Sequence, residues 1–492
     1  MDIVQDVDEI EIAPKQTTQK RIQVTVDDAH PFDLDSYITG YTGRTAIDRL
    51  LHIIRLCPTL APQAYQLAVK YIHQGRDPSI YQTLIAAYET AAASVSGQLP
   101  PWQELAPLDT RWIEETNQKN QAERTKLEVE LKTYSNNMIK ESIRMGHRDL
   151  GDYYRAVGDQ SNAIKHYTKC REFCTTSQHV LDMSISTLEL LVERRSYAHI
   201  TTYVFKAEAA MEAVHATTDK KDAASSAAAA QTLPPGSQAA AASKRSADKE
   251  KVQTKLQYAT GLCRLSSGNY ERAANSFLHL GPISSLAEWN GTLVSPSDIA
   301  IYGTLCALAS LSRGAIKAQV LDNDNFGVYI EQEPYVRELL EAWMHSRFKT
   351  VLDLLERYST RHLLDPHLSG HVQDLTHAIR SRALVLFFQP FASLKLERIG
   401  DAFGWPIEET EKQVVTLIQS GDIKARVDSQ NKILKAKEVD PRSALFSRAI
   451  QSSADMQNAT RKLLLRLKLQ QAELVIKTPK SQGGYAHDIL ND

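Results

Sequence analysis

The 492-residue sequence lacks most of the features that announce chemistry. Its five cysteines, Cys57, Cys170, Cys174, Cys263 and Cys306, are odd in number and show no Cys-x-x-Cys spacing. That argues against a disulfide framework or a thiolate zinc site, and for a reducing compartment, cytoplasm or nucleus. All five fall inside helical patterns. No apolar run reaches the ~18 residues of a membrane span. Asp2, Asp6, Asp8, Glu9 and Glu11 occupy the place where a signal peptide carries positive charge, so neither secretion nor membrane insertion is expected. With 57 basic against 59 acidic residues the net charge is -2, which leaves no global field toward nucleic acid or anionic lipid.

Catalytic signatures are missing as well. There is no Gly-x-x-x-x-Gly-Lys loop, Gly-x-Gly-x-x-Gly turn, Gly-x-Ser-x-Gly elbow or His-Glu-x-x-His helix. Among the histidines, His362, His367 and His371 come closest to a cluster, with Asp365 between them, but they read better as a polar turn between helices than as convergent metal ligands. Cys170 and Cys174, spaced to share a helix face beside Tyr167 and Phe173, read as core. Neither a catalytic residue, a cofactor nor a metal is expected.

What the sequence does contain is a segment from Phe388 to Ala436 that reads as a winged helix. Leu394, Ile399, Ala402 and Phe403 line one face of a short helix ended by Gly404, and Pro406 can open a second without losing a needed N–H. Ile407, Val414, Val415 and Ile418 keep a one-sided spacing up to Gly421, while Glu408, Glu409 and Glu411 suit the helix dipole. The period then falls to two: Ile423, Ala425 and Val427 alternate with polar residues, and Asp428 to Asn431 turn the chain into Ile433-Leu434. The outer strand of so short a hairpin leaves N–H and C=O groups free for another chain's strand.

Upstream, helices repeat. Gly151, Gly158, Ala163 and Tyr167 recur in register as Gly261, Gly268, Ala273 and Phe277, with an echo at Ala68, Gly75, Ile80 and Leu84 and a weaker one near Ser346, where Leu339, Val351 and Leu355 stand. Small residues let paired helices approach closely and stacking buries the rest, as in a tetratricopeptide-like solenoid. The domain reading is a flexible tail over 1–30, in which Ile22, Val24 and Val26 alternate; an N-terminal helical region over 31–111; repeats over 112–370; the winged helix over 371–437; a terminal helix over 441–477; and a tail over 478–492. A single long helix is expected from Trp112 to Met145, and a disordered, alanine-rich insertion over 216–251. In the terminal helix Met456, Leu463, Leu467 and Leu474 form a heptad-like stripe too long to fold back on a small winged helix, so part of it should meet another chain.

Nucleic-acid binding is the sharpest rival, since a winged helix often reads the major groove with its second helix. Here that helix opens with three glutamates, and only the wing (Lys424, Arg426, Lys432, Lys435) is basic. Nucleic-acid contact is therefore not the expected function.

Helical repeats running into a winged helix resemble the PCI family found in the proteasome lid, the COP-9 signalosome and a translation initiation factor. Tyr41 to Pro58, Ile143 to Thr175 and Ala425 to Ser443 are similar to the signalosome's subunit-one family, with the homologous proteasome lid subunit as the nearest alternative. The resemblance runs from about Pro31 to Leu474. It implies a mostly α fold, a solenoid followed by a winged-helix (PCI) subdomain and a C-terminal helix. It also implies a scaffold role in an assembly that removes the ubiquitin-like modifier Nedd-eight from cullin-RING ubiquitin ligases. Catalysis would lie in a metalloprotease subunit, and partners would be other PCI subunits and the metalloprotease-containing ones. The residues expected at partner interfaces are Ile423, Ala425, Val427, Ile433 and Leu434 in the wing and Met456, Leu463, Leu467 and Leu474 in the terminal helix.

Overall fold

The structure, a computed structural model, describes residues 24–95, 99–228, 235–437 and 441–474. In chain order its helices begin with α1 (Leu34–Thr39), α2 (Gly43–Leu56), α3 (Ala61–Gln74), α4 (Ser79–Ser94), α5 (Trp102–Leu105), α6 (Thr110–Asn136), α7 (Lys140–Val157), α8 (Gln160–Glu172) and α9 (Ser177–Glu193). They continue with α10 (Ile200–Ala228), α11 (Pro235–Ser266), α12 (Tyr270–Leu278), α13 (Ile283–Leu286), α14 (Pro296–Ser310), α15 (Arg313–Ile316), α16 (Asp324–Ile330), α17 (Pro334–Met344), α18 (Phe348–Arg357), α19 (Ser359–Leu363) and α20 (Val372–Phe388). The last part holds β1 (Ser393–Lys395), α21 (Leu396–Phe403), α22 (Ile407–Gln419), β2 (Ala425–Asp428), β3 (Ile433–Ala436) and α23 (Pro441–Gln471). Two compact units emerge, one of residues up to 390 with 399–413, the other of residues 391–398 with those from 414 onward.

In the first unit, the apolar faces of α2, α3 and α4 close on each other through Leu50, Ile53, Ile54, Tyr65, Ala68, Ile80, Leu84 and Tyr88. Val24 joins this core, its N–H donating to the Leu56 carbonyl at 2.9 Å, and Val26 packs beside it. The tail expected over 1–30 is thus anchored to the body from Val24 on, because burying a valine is worth about 1.5 kcal/mol and the strand-like backbone finds a carbonyl at a helix end. Ile22 lies outside the described residues.

The single helix expected from Trp112 to Met145 is two. Ser135, Asn136 and Asn137 are three weak helix formers in a row, the Asn137 N–H caps the Thr133 carbonyl at 3.1 Å, and Met138 takes a left-handed φ of 54°. Absence of proline and glycine was not enough to carry the helix through.

The repeats pack as their small residues require. A Cβ on Gly151 would stand 2.5 Å from the Tyr167 ring, and one on Gly261 would stand 2.7 Å from the Phe277 ring, so α7 meets α8 and α11 meets α12 with ring against backbone. Between each pair a glycine turns left-handed, Gly158 at φ 91° and Gly268 at φ 74°. In the fourth pair Ser346 adopts the same hand at φ 58°, so the fold makes the same turn without a glycine. The first pair differs: Gly75 is extended, with φ -91° and ψ -171°. The alanine-rich stretch read as an insertion without fold carries helical backbone over 216–228 and 235–251, prolonging α10 and α11, as the high helix propensity of alanine allows. Residues 229–234 lie outside the described ones.

One helix has no exposed stripe at all. From Asp298 to Ala309 every residue of α14 is buried, the signature of a helix packed on all sides.

The second unit holds a three-stranded antiparallel sheet in the order β1-β3-β2. Leu394 pairs with Leu434, and Leu434 with Val427, while Arg426 stands opposite Lys435. The expected hairpin is present, but a third strand, only three residues long and running straight into α21, makes β3 central.

Candidate functional site

The histidine-rich stretch from α19 to the start of α20 is a structural hub, not a ligand set. Its three rings diverge onto three tyrosines: His362 Nε2 to Tyr335 Oη at 3.0 Å, His367 Nδ1 to Tyr197 Oη at 2.6 Å, and His371 Nδ1 to Tyr270 Oη at 3.4 Å. Burial pushes His362 and His367 down to about 3, so both are neutral at ordinary pH. Asp365 between them accepts from Arg49 Nη1 at 2.7 Å, from Tyr302 Oη at 2.7 Å and from the His367 and Leu368 amides. Burial raises its pKa, but Arg49, His367 and Arg361 together more than offset this, and the net direction is down. Asp298 on α14 accepts from Arg49 Nη2 at 2.6 Å, Tyr41 Oη at 2.5 Å and Arg361 Nη2 at 3.0 Å. These buried ion pairs, which leave only Arg49 Nε of that guanidinium without a partner among the described residues, hold α1, α2, α14 and the turn in one arrangement.

Reactive sulfur is absent from the cysteine pair. Cys174 does not share a helix face with Cys170; α8 ends at Glu172, and Cys174 Sγ donates back to the Cys170 carbonyl at 3.4 Å. Burial pushes the Cys170 thiol up to about 11 and that of Cys174 upward too, away from thiolate character. Cys57 likewise caps the end of α2 instead of lying within a helix. Among the described residues no three His, Cys, Asp or Glu side chains are grouped to hold a metal.

The wing residues are placed differently from their expected role. Ile423, Ala425 and Leu434 are buried, and Val427 and Ile433 half-buried. Cross-strand pairing puts Ala425, Val427, Leu434 and Leu394 on one face, so their side chains build the core of their own module. Ile433 falls on the opposite face with Arg426, Asp428 and Lys435, and β3 is covered on both edges. Backbone lies open along the outer edge of β2, which pairs with β3 alone among the described residues. The Lys437 N–H donates to the Lys424 carbonyl at 2.9 Å, so ladder alternation turns the Ala425 and Val427 N–H groups outward. The turn itself is built as its residues suggest: Asp428 accepts from the Asn431 side chain and from the Gln430 and Asn431 amides, which together lower its pKa.

Helix α23 carries the other expected stripe. Met456, Leu463 and Leu467 are 74%, 60% and 51% exposed. Sequence reading missed Leu445, Phe446, Ile450, Leu464 and Leu465, which are equally open. The i,i+4 pair Phe446 and Ile450 was the signal, masked by the polar run from Gln451 to Asp455. Leu474 does not belong to the stripe. The helix stops at Gln471, Glu473 turns left-handed at φ 54° and the Leu474 N–H bonds the Leu469 carbonyl at 3.1 Å. A helix of 31 residues, ~46 Å long at 1.5 Å per residue, thus offers apolar groups that nothing among the described residues covers.

Comparison with known proteins gives these surfaces a context. The family model described as 26S proteasome subunit RPN7 matches residues 109–319, and that of the PCI domain matches residues 355–438. The chain is 34% identical to COP9 signalosome complex subunit 1 of Arabidopsis thaliana, over 89% of this chain and 90% of that protein. It is 32% identical to the protein of the same name in Emericella nidulans, over 90% and 82%. Identity to 26S proteasome non-ATPase regulatory subunit 6 of Caenorhabditis elegans is 21%, over 74% and 83%.

Proposed function

The chain belongs to the COP9 signalosome subunit 1 family, and from that premise we propose that it is a non-catalytic scaffold of a signalosome that removes Nedd-eight from cullin-RING ubiquitin ligases. The observation that carries this reading is α23, a long helix whose leucines face water in the isolated chain. Such a helix is stable only when its stripe is covered, and a shared helical bundle with sister subunits covers it. The outer edge of β2 supplies a second joint by strand addition to neighbouring PCI subunits. Metalloprotease-containing subunits would provide the chemistry, and cullin-RING ligases the substrate. Its site of action is proposed to be cytoplasm and nucleus, and α22's acidic first turn keeps nucleic acid out of the scheme.

The test is co-purification. A chain truncated before Pro441 should fold yet fail to enter the complex at full stoichiometry; normal incorporation would refute the bundle. Turnover of a Nedd-eight-modified cullin by the purified chain alone would refute the non-catalytic role.

A further inference from the structure

Beside the buried hub, a recess of about 300 Å³ opens to solvent between α1, α14, α17 and α19. Its lining includes Phe32, Tyr37, Tyr335, Tyr358, Glu333 and Arg361. The Tyr335 and Tyr358 rings stack with centroids 4.0 Å apart, and Arg361 lies over the Tyr37 ring at 4.5 Å. Arg361 Nη2 bonds Asp298 at 3.0 Å and approaches Glu333 no closer than 3.8 Å. Glu333 is balanced by that longer approach and by a side-chain hydrogen bond with Ser297. Of the charged groups lining the recess, Asp33 and Glu333 are acidic and Arg361 is basic.

We propose that this recess is a binding site for a cation, the side chain of an arginine or lysine presented by an exposed segment of a partner protein. The volume suits one such side chain, aromatic walls favour a cation over a neutral group, and Glu333 supplies the counter-charge. One further sign agrees: burial raises the Glu333 carboxyl, a cost that an incoming cation would relieve. The opposing influence is the N-terminal end of α14 and of α17, where orphan N–H groups favour anions; neither has a side-chain cap.

The test is calorimetric titration of the full chain with a glycine pentapeptide bearing a central arginine, and with the lysine and glutamate versions. The arginine and lysine peptides should bind, the glutamate peptide should not, and Glu333→Gln should weaken binding about tenfold, the loss of one charged contact. Because Glu333 makes no cap bond, the variant should melt like the parent. Ser36→Lys, on the exposed rim of the recess, should plug it in cis and abolish binding even if Glu333→Gln were to misfold. Unchanged affinity in Ser36→Lys, preference for the glutamate peptide, or spermidine binding as tightly as the peptides would each overturn the proposal.

Discussion

Arg49 Nη2 and Asp298 Oδ2, 249 positions apart in sequence, lie 2.6 Å apart with both side chains withdrawn from water. The same guanidinium holds Asp365 and bonds Tyr37, so one residue of α2 ties the N-terminal helices to the buried α14 and to the turn after α19. Removing it leaves Asp365 without an ion-pair partner and Asp298 with Arg361 alone.

Arg49→Met should accordingly destabilise the first unit by about 3–5 kcal/mol, the usual result of leaving a buried charge without its partner. Urea denaturation followed by circular dichroism reads this. A loss under about 1 kcal/mol would mean that water reaches Asp298 and Asp365.

Gly151→Ala and Gly268→Ala separate two causes of glycine in the repeats. At Gly151 the added methyl meets the Tyr167 ring, so about 1–3 kcal/mol should be lost, and Tyr167→Leu should recover part of it. At Gly268 nothing lies within 4 Å, and only the left-handed backbone resists, at about 1 kcal/mol that no partner substitution restores. Melting curves of the two single variants and the one double variant decide it.

His362 and His367 predict an acid-sensitive fold. Above the ordinary imidazole value of 6.5 both are neutral whether folded or not; below it the unfolded chain takes up protons that the native state refuses until about 3. Stability should therefore fall with falling pH across that window, by up to about 1.4 kcal/mol per pH unit for each ring. Denaturation midpoints at pH 7.5 and 5 should converge in His362→Gln relative to the parent; an unaltered slope would place the proton uptake elsewhere.

At the wing, position along β2 should decide the effect of proline. Val427→Pro removes an outward N–H and should leave the isolated chain folded while weakening its pairing with a neighbouring subunit. Arg426→Pro removes an N–H used inside the sheet, opposite Lys435, and should damage the wing itself. Co-purification alongside melting distinguishes these, and equal behaviour of the two would show that the β2 edge is not a joint.

Leu463→Glu together with Leu467→Glu should leave the melting temperature of the isolated chain unchanged, since both side chains are already in water, yet exclude it from the complex. Unimpaired incorporation would mean that the stripe of α23 serves no contact.

Sequence by itself determined everything that rests on local periodicity. The repeat register at Gly151 and Gly261, the helices on either side of Gly404 and the Asp428 turn are written in spacings of a few residues, and the structure holds each of them. Tertiary structure alone decided what depends on pairs far apart in the chain. The three residues of β1 carry no period of their own, yet by pairing with β3 they turn a two-stranded wing into a sheet and leave β2 the free edge of the wing hairpin. Arg49 looks like any surface arginine of an amphipathic helix until Asp298 and Asp365 are brought to it. Periodicity reports which face of an element is buried; it cannot report what that face is buried against, because loop closure and packing select the partner only once the chain is folded.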